Sequence, residues 1–176
     1  MISFEVPGLP VAQPRQRHRI AKTKDRKDWV QNFTPAKDGV NTFKAAIQIA
    51  CRSAYQGPPL EGPLGLQIVF IFPRPSRLRW KKRAMPRQWR AEKPDLDNLC
   101  KSVKDALKGI SWLDDAQVAY LVAIKIYASG EEPIGTTVEI SQLSETPPLI
   151  ITSNGGILTT SAGEPASGFC GLPDCP

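Results

Sequence analysis

Histidine is almost absent from the chain, since His18 is the only one among 176 residues. A zinc site built from several histidines is therefore excluded, and so is a Cys2His2 zinc finger. A Ser-His-Asp triad would have to use His18, which lies in a basic segment with no companion acid close by. The four cysteines are too few for a disulfide scaffold in a chain of this length.

The chain also lacks a long hydrophobic run. The longest wholly apolar stretch, residues 118–124, is far shorter than the ~20 residues that cross a bilayer. The first residues show no charged segment followed by an apolar one, so we expect no signal peptide. The glycine patterns of phosphate loops and dinucleotide-binding turns are missing too. We therefore expect a cytoplasmic protein without a membrane partner.

Basic residues are confined to the first part of the chain. Residues 144–176 contain no Lys or Arg, so residues 1–143 carry all 23 basic residues and 14 of the 17 acidic ones, a formal charge of +9. Five Pro and five Gly, with many Ser and Thr, occupy the remaining segment. That composition is typical of a flexible appendage. The predicted organisation is one domain over 1–143 and a flexible Pro/Gly/Ser/Thr-rich C-terminal tail over 144–176.

Two basic clusters stand out within the predicted domain. One covers residues 15–27, with only Asp25 and Asp28 as nearby acids, and the other covers residues 74–90, with no acid at all. Such clusters indicate an anionic partner and are typical of phosphate-contacting loops. Trp80 and Trp89 lie in the second cluster, where they would stack on bases or wedge into a branch point. The clusters could equally be solvated loops, with the tryptophans as hydrophobic anchors.

Hydrophobic periodicity predicts an α+β domain. Strands are predicted over residues 2–6, 64–72, 116–127 and 135–143, and helices over 39–55 and 96–108. The segments between the first strand and the first helix, and between the second strand and the second helix, are predicted as loops. This order is typical of a small single domain with two helices and a mixed or mainly antiparallel sheet.

The acids between residues 90 and 115 are informative against this basic background. Asp95 and Asp97 bracket Leu96 at the start of the second predicted helix, while Asp114 and Asp115 directly precede a predicted strand. The short turn between helix and strand would bring the two acidic pairs together. Converging carboxylates repel one another unless a cation lies among them, and hard oxygen ligands suit Mg²⁺ or Mn²⁺.

A metal site of this kind beside phosphate-binding loops indicates metal-assisted phosphodiester hydrolysis. Lys101 lies four residues after Asp97, on the same helix face, where its ammonium would pair with the aspartates or contact a phosphate. Each feature also has a purely structural explanation. Asp95 could be a helix cap, Asp97 a first-turn acid in an ordinary ion pair with Lys101, and Asp114–Asp115 a plain turn.

Two sequence blocks resemble the RusA family of Holliday junction resolvases, endodeoxyribonucleases of bacteria that are often encoded by prophages. They are KPDLDNLCK at residues 93–101 and WLDDAQV at residues 112–118, with DAL at residues 105–107 between them. The resemblance is strong over residues 93–127 and weaker upstream.

The resemblance implies a homodimer of small α+β subunits that binds four-way DNA junctions and nicks two strands symmetrically in DNA recombination and repair. Mg²⁺ would be the cofactor, with Mn²⁺ able to substitute. The metal-binding and catalytic carboxylates would be Asp95, Asp97 and Asp115, and the catalytic lysine Lys101. The residues expected to contact DNA are Arg15, Arg17, Arg19, Arg79, Lys81, Lys82, Arg83 and Lys93. A dimer also matches the substrate, because two metal sites related by a twofold axis suit two cuts related by the symmetry of the junction.

Two other functions compete with this one. A non-catalytic binder of branched DNA could have the same fold, but it would gain nothing from carboxylates beside phosphates. A metal-dependent transferase could use Asp95 and Asp97 to hold a nucleotide sugar, but it would not need so extended a basic surface. A steep salt dependence of DNA affinity would separate the DNA-binding functions from the transferase.

Overall fold

A computed structural model describes residues 1–14, 17–22, 28–33, 39–80, 85–144, 151–153 and 156–158. The chain divides into two units, Met1–Leu143 and Ser144–Pro176. In the first unit the strands are β1 (Ile2–Pro7), β2 (Arg17–Lys22), β3 (Asp28–Phe33), β4 (Leu64–Phe72), β5 (Gln88–Trp89), β6 (Val118–Tyr127) and β7 (Gly135–Gln142). Its helices are α1 (Val40–Ala54) and α2 (Leu96–Leu107), with short 3-10 helices at Ser76–Leu78 and Asp115–Gln117.

A five-stranded sheet in the order β1-β7-β4-β6-β5 forms the centre of the first unit. Only β4 and β6 run parallel, and the other neighbours are antiparallel, so the sheet is mixed. A parallel pair needs a crossover connection, and the connection between β4 and β6 contains α2. The sheet therefore places the acidic helix beside the strand that follows the second acidic pair.

Burial patterns show which side of the sheet carries the core. Alternate residues of the edge strand β1 are buried, as expected where one face is covered, whereas the central strand β4 is buried along almost its whole length. Most of the buried side chains form one cluster between the sheet and the two helices. A smaller cluster of Ile71, Ile126 and Ala128 lies on the other face.

Both helices bury one apolar face against this core. In α1 the buried positions are Val40, Phe43, Ile47 and Cys51, which follow the helical period. The helix α2 ends before Gly109, whose φ of 79° is the left-handed conformation that glycine adopts without strain. The predicted helices and the predicted strands β1, β4 and β7 are confirmed.

Three features differ from the sequence-based expectations. The segment before α1, predicted as a loop, contains an antiparallel pair in which β2 aligns with β3 from Arg17 opposite Phe33 to Lys22 opposite Asp28. The predicted loop before α2 contains the two-residue strand β5. The strand predicted from residue 116 begins at Val118, because a 3-10 turn at Asp115–Gln117 precedes it. The hairpin was missed because the apolar residues of its strands do not alternate with polar ones, whereas backbone hydrogen bonds define a ladder without requiring an apolar period.

The second unit contains a short antiparallel pair, β8 (Ile151–Ser153) and β9 (Gly156–Leu158). This pair lies in the segment predicted as a flexible tail. No helix among the described residues is long and apolar enough to cross a membrane.

Candidate active site

An open cavity of about 600 Å³ lies between α2, the 3-10 turn and β6. Its charged lining consists of three carboxylates and two ammonium groups: Asp97, Asp105, Asp115, Lys101 and Lys104. Its apolar lining consists of Leu96, Cys100, Leu121 and Ala123. The cavity therefore joins side chains from both acidic blocks of the sequence.

The amphipathic character of α2 creates the charged side of this cavity. Leu99, Val103 and Leu107 are fully buried, so the opposite helix face points away from the core. Asp97 and Lys101, four residues apart, lie on that outer face and both line the cavity. The structure thus brings the predicted lysine and the predicted second aspartate to one surface.

Asp95 is the N-cap residue of α2 and is exposed. Its side chain makes no capping hydrogen bond to the helix, so helix capping does not explain this aspartate. Asp95 is not part of the cavity lining, but the next residue, Leu96, is. Of the three predicted carboxylates, the structure therefore places Asp97 and Asp115 in the cavity lining and Asp95 at the N-terminus of α2, outside that lining.

The adjacent acids Asp114 and Asp115 have different surroundings. Asp114 caps the 3-10 turn by accepting a hydrogen bond from the Ala116 backbone N–H, and Lys108 Nζ donates to it over 3.2 Å. These two bonds lower the pKa of Asp114, the backbone bond most. Asp115 instead lines the cavity, and its Oδ1 accepts a hydrogen bond of 3.0 Å from the indole Nε1–H of Trp112. Asp114 therefore stabilises the 3-10 turn, and this turn places Asp115 at the cavity.

The third carboxylate of the cavity, Asp105, is paired with Lys44 of α1 at 3.0 Å. This ion pair joins the two helices and offsets the charge of Asp105. Near the same surface, burial first and the charge of Asp97 second raise the pKa of the Cys100 thiol to about 11. Cys100 is therefore protonated at neutral pH, and it is neither a thiolate nucleophile nor a thiolate ligand there.

The donor set of the cavity suits a hard divalent cation. Mg²⁺ is usually held by one or two protein carboxylates, with water and substrate phosphates completing its octahedron. Asp97 and Asp115 supply two such carboxylates. Among the described residues, no three Asp, Glu, His or Cys side chains lie close enough together to enclose an ion. The geometry fits an open site better than a closed structural one.

The predicted DNA contacts are only partly described. Arg79 and Lys93 are exposed, and Arg79 Nε donates to the Arg74 carbonyl over 3.1 Å. Arg17 and Arg19 lie in β2, and their side chains are outside the described part of the chain. Arg15, Lys81, Lys82 and Arg83 are wholly outside the described residues.

Sequence reasoning missed several residues around the site. Trp112 belongs to the second of the two sequence blocks but received no role, although the indole N–H of a buried tryptophan usually finds a hydrogen-bond partner. Lys125 is the only charged residue in the apolar strand β6, which is itself a signal because lysine is seldom buried without a reason. A further link is visible only in three dimensions: the Gln13 backbone N–H donates to the Asn98 carbonyl in the first turn of α2 over 2.9 Å.

The family model "Endodeoxyribonuclease RusA" matches residues 7–141, which include both helices and the whole cavity. The chain is thus an endodeoxyribonuclease, and it belongs to the RusA family.

Two related proteins are similar in sequence to most of this chain. The uncharacterized protein YqaN of Bacillus subtilis (strain 168) is 32% identical over 137 residues, which cover 75% of this chain and 90% of that protein. The crossover junction endodeoxyribonuclease rusA of Lactococcus phage r1t is 27% identical over 124 residues, which cover 70% of this chain and 85% of that protein. Nucleases of this family generally depend on a divalent metal ion.

Proposed function

We propose that this protein resolves Holliday junctions by paired symmetric nicks, as a Mg²⁺-dependent, structure-selective endodeoxyribonuclease of DNA recombination and repair. The observation that carries the proposal is the single cavity that joins Asp97 and Lys101 of α2 to Asp115 of the following turn. The name of the phage relative supports the choice of substrate. We place the activity in the bacterial cytoplasm, where phage and host DNA recombine.

The proposed metal ligands are Asp95, Asp97 and Asp115. A bound Mg²⁺ would polarise the scissile phosphate and lower the pKa of an attacking water, and Mn²⁺ would serve in its place. Asp97 and Asp115 hold their oxygens at the cavity surface, the latter fixed by Trp112. Lys101 is long enough to donate to a nonbridging oxygen of a phosphate in the cavity, where its charge would stabilise the negative charge that develops during cleavage.

The proposed DNA contacts are Arg15, Arg17, Arg19, Arg79, Lys81, Lys82, Arg83 and Lys93. These residues come from the two basic clusters and their flank, and a positive surface is what a phosphate backbone requires. Lys93 precedes Asp95 by two residues, so a phosphate bound there would lie next to the carboxylates.

We also propose that the active form is a homodimer. Among the described residues, no strand pairs with the outer edge of β6 between Val118 and Ile124. Three consecutive apolar side chains, Tyr120, Leu121 and Val122, are exposed there by 43%, 46% and 38%. An uncovered apolar edge strand readily pairs with another chain, and two subunits would supply one cut each.

The alternative is a non-catalytic binder of branched DNA with the same fold. The cavity argues against it, because Asp97 and Asp115 would repel phosphates without contributing to a reaction. A binder would also have no need to bring Lys101 beside them. Cleavage, not binding, separates the two functions.

The test compares a synthetic four-way junction with a linear duplex of the same sequence. Wild type, Asp97→Asn and the control Glu131→Gln, which removes an exposed carboxylate far along the chain, are incubated with Mg²⁺, with Mn²⁺ and with EDTA. We expect symmetric nicks in the junction alone, only with a divalent ion, and a loss of at least about 100-fold in Asp97→Asn.

A control variant and two contrary outcomes decide whether the proposed function holds. Glu131→Gln should cut like wild type. Tight junction binding without cleavage in either metal would refute the resolvase and favour the binder. Equal cleavage of the linear duplex would refute structure selectivity while leaving a metal-dependent nuclease.

A further inference from the structure

Lys125 makes an unusual set of contacts for a lysine in an apolar strand. Its Nζ donates to two backbone carbonyls, that of Glu92 over 2.8 Å and that of Pro94 over 2.7 Å. Both carbonyls belong to the irregular segment that enters α2. The second of them immediately precedes Asp95.

Arg90 binds the backbone carbonyl of Lys93, which lies between the carbonyls of Glu92 and Pro94. Its guanidinium donates to the Lys93 carbonyl and lies 4.3 Å from the centre of the Phe72 ring and 5.1 Å from that of Tyr127. The Arg90 backbone N–H also donates to the Lys125 carbonyl over 3.2 Å. The arginine is therefore fixed on the same strand end as the lysine, by stacking and by the sheet.

Glu92 extends this anchoring through its side chain. The Tyr127 hydroxyl donates to Glu92 Oε2 over 3.0 Å, and Arg77 pairs with Oε1. The bond from Tyr127 is the main cause that lowers the pKa of Glu92, and the positive charges of Arg77 and Arg90 contribute as well. The carboxylate of Glu92 is therefore ionised and bound to Tyr127 of β6. It belongs to the same segment as the three carbonyls that Arg90 and Lys125 bind.

Three consecutive carbonyls before Asp95 are consequently bound by two cations, Arg90 directly after β5 and Lys125 of β6. Hydrogen bonds from charged donors are shorter and stronger than neutral ones, so this segment has little freedom to shift. The strand β6 also begins directly after the turn that carries Asp115. One strand therefore fixes both acidic blocks, Asp115 at its start and Asp95–Asp97 through the carbonyls bound near its end.

We propose that Lys125 is a positioning residue of the active site, which sets the location of Asp95 and Asp97 relative to Asp115 by binding the Glu92 and Pro94 carbonyls. The inference rests on the proposed function for its effect on cleavage, but not for its effect on the backbone. Lys125 lies on a strand, and supports on strands hold a site more accurately than loops do. A shift of about 1 Å in a catalytic group can reduce a rate about 100-fold.

The experiment uses Lys125→Met, which keeps the aliphatic stem and removes the donor, and Lys125→Arg, which keeps a charged donor. Arg52→Met is the control, since it removes one exposed positive charge at the end of α1. Amide hydrogen exchange is followed in residues 92–98 and in β4. Junction affinity, the cleavage rate at saturating junction and the Mn²⁺ concentration for half-maximal cleavage are measured in parallel.

For Lys125→Met we expect faster exchange in residues 92–98 with unchanged exchange in β4. The cleavage rate should fall about 10- to 100-fold, the Mn²⁺ requirement should rise, and junction affinity should stay within about threefold. Lys125→Arg should retain more activity than Lys125→Met, and Arg52→Met should match wild type.

Two results would overturn the proposal. One is unchanged exchange in residues 92–98 of Lys125→Met. The other is faster exchange that extends through β4, which would make Lys125 a general stabiliser of the fold. If wild type does not cut junctions, the proposed function fails, while the exchange pattern and direct Mn²⁺ titration still decide the role of Lys125.

Discussion

The indole of Trp112 donates a hydrogen bond of 3.0 Å to the carboxylate of Asp115, and the two residues differ in burial. Trp112 is fully buried in the core, whereas Asp115 lines the open cavity. A core side chain therefore contacts the candidate active site directly. A hydrogen bond to the outer oxygen of a metal-binding carboxylate fixes which oxygen faces the ion.

Trp112→Phe should reduce junction cleavage about 10- to 100-fold, because the bond that orients Asp115 is lost. The smaller ring should also lower the free energy of unfolding by about 1–3 kcal/mol. Cleavage is measured well below the melting temperature, with Phe4→Leu as the control, because it truncates a buried ring on β1, which two strands separate from β6. If both variants lose activity in proportion to stability, the bond to Asp115 has no catalytic importance.

Glu132 provides a prediction about pH. The hydrogen bond from Arg87 is the main cause that lowers the pKa of Glu132 to about 2, and bonds from the Ser129 backbone N–H and hydroxyl add to it. A lowered pKa means that the ionised form stabilises the fold above the unfolded-state pKa, and that this contribution disappears as the pH falls towards 2. Glu132→Gln should therefore be less stable than wild type at pH 7 by about 1–2 kcal/mol.

Urea denaturation at pH 7, 5 and 3 tests this. The difference between wild type and Glu132→Gln should stay constant from pH 7 to 5 and shrink below the pH at which a free Glu titrates. Glu131→Gln, which alters the exposed neighbour, should show no such difference. A stability difference that is as large at pH 3 as at pH 7 would contradict the assignment.

Trp89 is the better placed of the two tryptophans for stacking on a DNA base. Its side chain is 75% exposed on β5, whereas Trp80 is half-buried and lies 6.0 Å from the buried Arg74 guanidinium. Trp89→Ala should weaken junction binding about 5- to 150-fold, the range expected from the loss of one stacked base, with little change in stability. Trp80→Ala should instead lower the melting temperature. Fluorescence anisotropy with a labelled junction measures the first effect, and an unchanged affinity of Trp89→Ala would exclude the stacking role.

The exposed edge of β6 gives a test of the homodimer. Lysines on an edge strand oppose pairing with a second chain, since they bring like charges together across the new ladder. The double change Tyr120→Lys and Val122→Lys should convert a dimer to monomers in analytical ultracentrifugation. It leaves Leu121 and Ala123, the β6 residues of the cavity, in place. A variant that still sediments as a dimer would place the interface elsewhere.

Much of the fold was predictable because its main elements carry strong apolar periods. Residues 64–72 were predicted as a strand and form β4, and the helical spacing of Leu99, Val103 and Leu107 predicted α2. The basic hairpin was not predictable in this way, because its strands lack a regular alternation of apolar and polar residues. Likewise, the parallel pairing of β4 with β6 depends on distant segments, which no local pattern encodes.

The site was predictable to the extent that its residues are close in sequence. Asp95, Asp97 and Asp115 remain predictions as metal ligands, but the meeting of Asp97 and Asp115 in one cavity follows from a short helix-to-strand turn. The residues that hold the site in place could not be predicted, because their contacts join segments that are distant in sequence. Lys125 lies 31 residues from Pro94, and Lys44 lies 61 residues from Asp105. The periodicity of a helix or a strand reveals only neighbours a few residues apart, so it gives no sign of either contact.

The hydrogen bond between the Gln13 N–H and the Asn98 carbonyl limits the footprint of the enzyme on DNA. The strand β2 begins at Arg17, four residues after Gln13, and an extended chain covers at most about 3.6 Å per residue. The Cα of Arg17 therefore lies within about 14 Å of the Cα of Gln13, a distance equal to about four nucleotide steps along one strand. The start of the basic hairpin is thereby kept close to the first turn of the acidic helix, and under the proposed function its first residues would contact the phosphates nearest to the nick.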